Sequence, residues 1–300
     1  MVKHSIEYRL TLFLSRVARS LSLQTAHHVG DFLGDLFYYV LKIRRNVALE
    51  NMRSAFSDSK SEQELHAILR QNYQHFGRMI MEFAGMQKMN RSEILNEIPI
   101  VNSELIHEKM KLNKGLLLLS AHFGNWEYLA ATLANMEYPA YCVFMEQKNK
   151  AVDELIKENR MHTGLRPLKI GGGAAKGIFS ALRKKGIIVV VMDQDAGKDG
   201  AFINFLGRPA STTTGSANIA IRYKTPVLLG FGVRGSNGKI HTELVDFPDI
   251  NTFSEDETGL HAFLTYYNNT VEKYVRTYPE QYFWMHRRWK TPPSAATERL

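Results

Sequence analysis

Apolar residues recur at two periods along this chain, and the period changes with position. At the N-terminus Ile6, Leu10, Phe13, Leu14, Val17 and Leu21 share one helical face, with Arg9, Arg16 and Arg19 opposite and Leu12 the one break in the pattern. A second set follows at helical spacing, Val29, Phe32, Leu33, Leu36, Phe37, Val40 and Leu41, and then basic Lys42, Arg44 and Arg45. Apolar stripes edged by arginine suit helices lying in a membrane interface. Ser61-Glu62-Gln63-Glu64 is a capping box, opening a helix whose core face runs Leu65, Ile68, Leu69, Tyr73, Phe76, Met79, Ile80 and Phe83. From about residue 100 the pattern alternates between short apolar runs and helical periods. The strand candidates are 115–121, 140–146, 187–193, 226–233 and 239–246; the helix candidates are 103–112, 126–135, 151–163, 174–185 and 213–223. A late helix carries Leu260, Phe263, Leu264, Tyr267, Val271, Tyr274 and Val275. Buried strands separated by helices predict an α/β protein, a layered mixed sheet flanked by helices. The expected organisation is a membrane-docking helical element over 1–45 and one α/β domain over 46–300.

Composition narrows the possible partners. Lys and Arg number 38 against 30 Asp and Glu, a net charge of +8, which favours anionic partners such as membrane lipid, a phosphorylated glycolipid or an acidic carrier protein. Nucleic acid is disfavoured, since no zinc-finger spacing, RNP-like segment or long basic arm occurs. The single cysteine, Cys142, excludes an intrachain disulfide and any cysteine-rich metal site. No run of about 20 apolar residues suggests a spanning helix, and no signal-peptide cleavage pattern is seen.

The densest chemistry lies in Ser120-Ala121-His122-Phe123-Gly124-Asn125-Trp126-Glu127, between an apolar strand and a helix. On one continuous helix, residues five apart diverge by roughly 140°. At a strand-to-helix turn, with Asn125 as N-cap, His122 and Glu127 can meet. A carboxylate on one imidazole nitrogen fixes the tautomer and makes the other nitrogen a better base. No nucleophile motif accompanies the pair, so the expected task is to deprotonate a substrate hydroxyl. A core histidine satisfied by a local acid would look the same.

Further segments carry a resemblance. Arg44-Arg45-Asn46-Val47-Ala48-Leu49-Glu50-Asn51-Met52-Arg53-Ser54-Ala55-Phe56, the His122–Glu127 box, Met192-Asp193-Gln194-Asp195, Thr212-Thr213-Thr214-Gly215 and the closing run Tyr278-Pro279-Glu280-Gln281-Tyr282-Phe283-Trp284-Met285-His286-Arg287-Arg288-Trp289-Lys290-Thr291 stand in one order over nearly the whole chain. Together they resemble the bacterial lipid A biosynthesis acyltransferases, with Ser57 where that family's early segment ends in proline.

The resemblance implies an O-acyltransferase at the cytoplasmic face of the bacterial inner membrane, peripheral or monotopic. It would move an acyl group from a thioester to a hydroxyl of a lipid A precursor. The implied donor is acyl carrier protein, with coenzyme A as the other carrier. No cofactor or metal is expected. His122 is the implied base and Glu127 its orienting acid. Arg160, at the end of a segment like the family's N-x10-R pattern, is expected near substrate, as are Asp193, Asp195, Arg287 and Arg288. Taken alone, the two aspartates could orient hydroxyls, hold an arginine, bind a cation or close a turn. Gly171-Gly172-Gly173 is expected to be a βα loop and Thr212–Thr214 to cap the next helix. The open alternatives are another glycolipid acceptor such as a mannosylated phosphatidylinositol, an acyl thioesterase, and a non-catalytic lipid-binding protein.

Overall fold

A computed structural model describes residues 2–56, 59–169 and 174–293; Ser57 and Gly171–Gly173 lie outside the described residues. Four helices lead the chain: α1 (Val2–Ser20), α2 (Leu23–Asp35, running on as a π-helical segment Leu36–Leu41), α3 (Arg45–Phe56) and α4 (Glu62–Gly85). Ser61 and Glu64 form the capping box at the start of α4. The chain continues through α5 (Arg91–Glu97), β1 (Ile100–Val101), α6 (Glu104–Met110), β2 (Leu116–Ser120), α7 (Trp126–Ala134), β3 (Ala140–Phe144), α8 (Lys150–His162), β4 (Arg166–Lys169) and α9 (Ala174–Arg183). It ends with β5 (Ile187–Val191), the β6–β7 hairpin (Ala201–Phe205, Arg208–Thr212), α10 (Gly215–Tyr223), β8 (Val227–Arg234), β9 (Ile240–Asp246) and α11 (Glu257–Thr277).

Seven strands make one mixed sheet in the order β1-β9-β8-β2-β5-β3-β4, parallel throughout except for β8 against β9. The fold is therefore α/β, with a mixed sheet flanked by helices. The five apolar runs became its central strands. β2 is buried at all five positions, which is why it reads as unbroken leucine rather than as an alternation. One core cluster, with Phe123, Phe231, Tyr267 and Trp284, packs on one sheet face, and a second, with Leu118, Leu129 and Leu133, fills the other.

The N-terminal helices are packed onto α4. Gly30 and Gly34 on α2 meet Gly77 on α4 so closely that a Cβ on Gly77 would lie 2.0 Å from the Gly30 carbonyl oxygen. Asp31–Arg78 and Asp35–Arg70 ion pairs flank this crossing. The opposite side stays open: Ile6, Leu10, Phe13, Phe32, Tyr39, Val40 and Leu41 are exposed large apolar residues. Among the described residues no helix is long and apolar enough to cross a membrane.

Candidate active site

The parallel register of β2 and β5 builds the site. Ser120 stands opposite Val191. Two residues further along each strand lie His122 and Asp193, at the carboxyl edge of the sheet where open α/β folds place their ligands. Asp193 Oδ1 lies 2.8 Å from His122 Nδ1 and also accepts the His122 backbone N–H at 2.9 Å. Burial works against the Asp193 charge, but His122 and its two hydrogen bonds override it and hold the carboxyl below its usual range. An ionised acceptor at Nδ1 places that ring proton there and leaves the Nε2 lone pair as the base.

This corrects the expected partner of His122. Glu127 makes no hydrogen bond to the ring. Its two carboxylate oxygens are taken by Arg160 in a bidentate pair of 2.9 and 2.6 Å, and Trp126 Nε1 donates to one of them at 3.2 Å. Burial opposes the Arg160 charge, yet Glu127 raises its pKa further still. The physical reason is direction. Glu127 lies in the first turn of α7 and faces α8, whereas the ring faces β5. Glu127 nonetheless reaches His122 indirectly, since the Trp126 indole it holds packs edge-on against the imidazole with centroids 4.9 Å apart. Two of the Arg160 guanidinium nitrogens, Nε and Nη2, are thereby committed to an internal carboxylate, while the residue still lines an apolar groove beside the turn.

The turn carrying His122 is pinned on every side. Gly124 sits at φ +58°, and a Cβ there would fall 2.0 Å from the Gly232 carbonyl oxygen, so only glycine fits. Its N–H donates to Gln281 O at 2.8 Å, and the Asn125 N–H donates to Gly232 O at 2.7 Å. Asn125 Oδ1 caps α7 by accepting the Tyr128 N–H at 2.9 Å, while its Nδ2 donates to buried Glu82 at 2.8 Å. The Phe283 N–H donates to His122 O at 2.9 Å.

An apolar groove of about 400 Å³ adjoins this turn, since Trp126 and Phe283, which both line it, pack against the His122 ring. Tyr73, Phe76, Met79, Phe83, Ile156 and Phe283 line it, together with Trp126, Glu127 and Arg160. Cys142, the free thiol, is buried in β3, and burial pushes its pKa up to about 12, so it is not an activated nucleophile. Among the described residues no cluster of His, Cys, Asp and Glu could hold a metal ion.

Comparison with known proteins places this arrangement. The profile of the family "Bacterial lipid A biosynthesis acyltransferase" matches residues 2–291. The chain belongs to this family. It is 28% identical over 276 residues to a lipid A biosynthesis lauroyltransferase of Escherichia coli, covering 91% of this chain and 88% of that protein. It is 23% identical over 266 residues to the E. coli lipid A biosynthesis palmitoleoyltransferase, covering 88% and 85%. A phosphatidylinositol mannoside acyltransferase of Mycolicibacterium smegmatis is more distant, 19% identical over 228 residues with 74% and 72% covered. As a member of the lipid A biosynthesis acyltransferase family, the chain is an acyltransferase.

Several residues of this acyltransferase expected at substrate turn out to be structural. Arg288 is only 1% exposed and donates to Ser211 O and Thr212 Oγ1, which places it behind the site. That bond also takes Thr212 away from helix capping; Thr214 occupies the N-cap of α10 but makes no side-chain cap bond. The Asp195 carboxylate accepts the Thr291 hydroxyl at 2.9 Å and the Thr291 N–H at 3.2 Å, tying down the closing run. Trp284 is fully buried and donates to Pro279 O at 2.7 Å. Arg287, by contrast, is exposed.

Proposed function

We propose that this acyltransferase moves a fatty acyl group from a thioester on acyl carrier protein to a hydroxyl of a lipid A precursor. The observation that carries the reading is the His122–Asp193 pair standing beside an apolar groove. The groove takes the acyl chain and presents the thioester carbonyl to the turn. His122 Nε2 draws the proton from the acceptor hydroxyl while its oxygen bonds to the carbonyl carbon. Asp193 fixes the ring and stabilises the imidazolium that results. The thiolate then leaves with that proton.

The reaction belongs at the inner-membrane surface on its cytoplasmic side. The exposed apolar residues of α1 and α2 would seat the protein in the lipid, and the +8 charge favours anionic headgroups and an acidic carrier. Exposed Arg287 would contact an anionic group of the glycolipid.

The test supplies purified protein with acyl carrier protein bearing a labelled acyl chain, and with coenzyme A carrying the same chain. A lipid A precursor, a mannosylated phosphatidylinositol or no acceptor is then added. Label moving from the carrier protein to the lipid A precursor is the expected result. Free labelled fatty acid without lipid product would establish a thioesterase instead. Binding without any turnover would establish a lipid-binding protein.

A further inference from the structure

Acyl transfer through His122 generates an oxyanion, and a donor must meet it. Attack forms a C–O bond, sends the carbonyl π pair onto oxygen and moves the hydroxyl proton to Nε2. That oxygen is stabilised by an N–H held about 3 Å away before reaction begins. Most side-chain donors near the turn are already engaged. Trp126 Nε1 and the Arg160 Nε and Nη2 are bonded to Glu127, and Arg288 is buried against Ser211 and Thr212.

Gln194 is different. Its Nε2 lies 3.5 Å from His122 Nε2, at the outer limit of a hydrogen bond, and its carboxamide makes no other hydrogen bond among the described residues. The residues on both sides of it are held. Asp193 is held by His122, and the Asp195 N–H donates to His286 Nε2 at 3.0 Å. The amide therefore stands beside the atom that the attacking hydroxyl must approach. A hydroxyl seated on Nε2 takes over that long contact and leaves the amide N–H groups unpaired beside the reacting carbonyl.

Resting on the acyl-transfer reading above, we propose that the Gln194 side-chain amide is a catalytic donor to the tetrahedral oxyanion. As the intermediate collapses, the oxyanion pair reforms the carbonyl, the C–S bond breaks, and the departing sulfur takes the proton from His122. Gln194 gains and loses no proton. Its contribution is confined to the charge that develops on oxygen.

The experiment compares full-length parent, Gln194→Ala and Gln194→Glu, with labelled acyl carrier protein thioester and lipid A precursor. Glutamate keeps the shape and removes the donor. Both variants should lose about 10²-fold in kcat with KM for the thioester unchanged within about threefold. For Gln194→Ala the pH profile and the melting temperature should match the parent, whereas Gln194→Glu adds a carboxylate beside His122 Nε2 and should move the base limb of the profile to higher pH. A kcat within about threefold of the parent, or a loss confined to KM or to stability, overturns the proposal. A parent that transfers no acyl group overturns the transfer reading, and the proposal with it. An active parent with unaffected variants removes Gln194 alone.

Discussion

At the residue scale, two acid–base pairs that sequence spacing merges are separated by the fold. His122 and Glu127 share one turn, yet each finds its partner on another element, His122 on the Asp193 side of β5 and Glu127 on Arg160 of α8. The sequence could mark His122 as a base. It could not assign the acid, because Asp193 meets His122 only through the β2–β5 register, and which strands pair is not written in either segment. The same limit hid the structural tasks of Arg288 and Asp195, whose partners lie 77 and 96 residues away. For the Glu127–Arg160 pair, with side chains 10% and 19% exposed, removing one partner strands a charge. Glu127→Gln should destabilise by about 3–5 kcal/mol, and adding Arg160→Gln should recover part of that loss. Urea unfolding of the parent, both singles and the double variant measures the coupling. Additive losses would mean that the two side chains do not interact.

At the element scale, long periodic segments were legible and short or polar ones were not. The five central strands follow from hydrophobic pattern, as do the longer helices other than α3, whose Arg45–Phe56 segment is not among the predicted elements. β4 did not, because Arg166-Pro167-Leu168-Lys169 is a short edge segment with charged ends and only Leu168 packed on the core. The β6–β7 hairpin escaped because it forms its own two-stranded sheet, closed by Leu206-Gly207 at positive φ. The α2–α4 crossing was hidden too, since glycine contributes nothing to a hydrophobic period yet sets how near two helices can come. Of the apolar stripe along α1 and just beyond it, Val17 and Leu21 pack against the Ala18–Met81 cluster while Ile6, Leu10 and Phe13 stay exposed, and that exposure leads to a test at this scale. Replacing Leu10 and Phe13, 56% and 61% exposed, by glutamate removes two apolar side chains from any lipid contact. Burial of such side chains contributes about 1.5–3 kcal/mol each, so binding to vesicles of anionic phospholipid should weaken at least about tenfold. Co-sedimentation reads the change, and undiminished binding would refute docking through α1.

At the scale of the whole molecule, one buried polar network joins the N-terminal helices, the sheet and the turn that carries His122. Glu82 of α4 accepts from Arg234 of β8 at 2.7 Å and from Asn125 at 2.8 Å, and it lies 2.6 Å from His27 of α2. Burial opposes its charge, but Arg234 and His27 lower its pKa well below the usual carboxylate range. Beside it, His75 hydrogen-bonds the Gly124 carbonyl through Nε2 at 3.1 Å, while Arg234 Nε donates to its Nδ1 at 3.3 Å. Burial first, and Arg234 second, push the His75 pKa down to about 3. The unfolded chain therefore takes up a proton near pH 6.5 that the folded chain refuses until about pH 3. Stability from this group is present above pH 6.5 and falls as the pH drops across that window. His75→Asn should flatten the pH dependence of unfolding free energy between these limits by about 1.4 kcal/mol per pH unit. Denaturant melts at pH 6 and pH 5 supply the slope, and an unchanged slope would contradict a buried neutral His75.

The central claim for the molecule is that Asp193 holds His122 as the base. It is tested most directly by the turnover of Asp193→Asn beside that of His122→Ala, both folded, in transfer of a labelled acyl group to a lipid A precursor. The amide keeps the shape and removes the charge that selects the tautomer. Both variants should lose roughly 10³–10⁴-fold in kcat. An Asp193→Asn enzyme turning over within about tenfold of the parent would contradict the assignment.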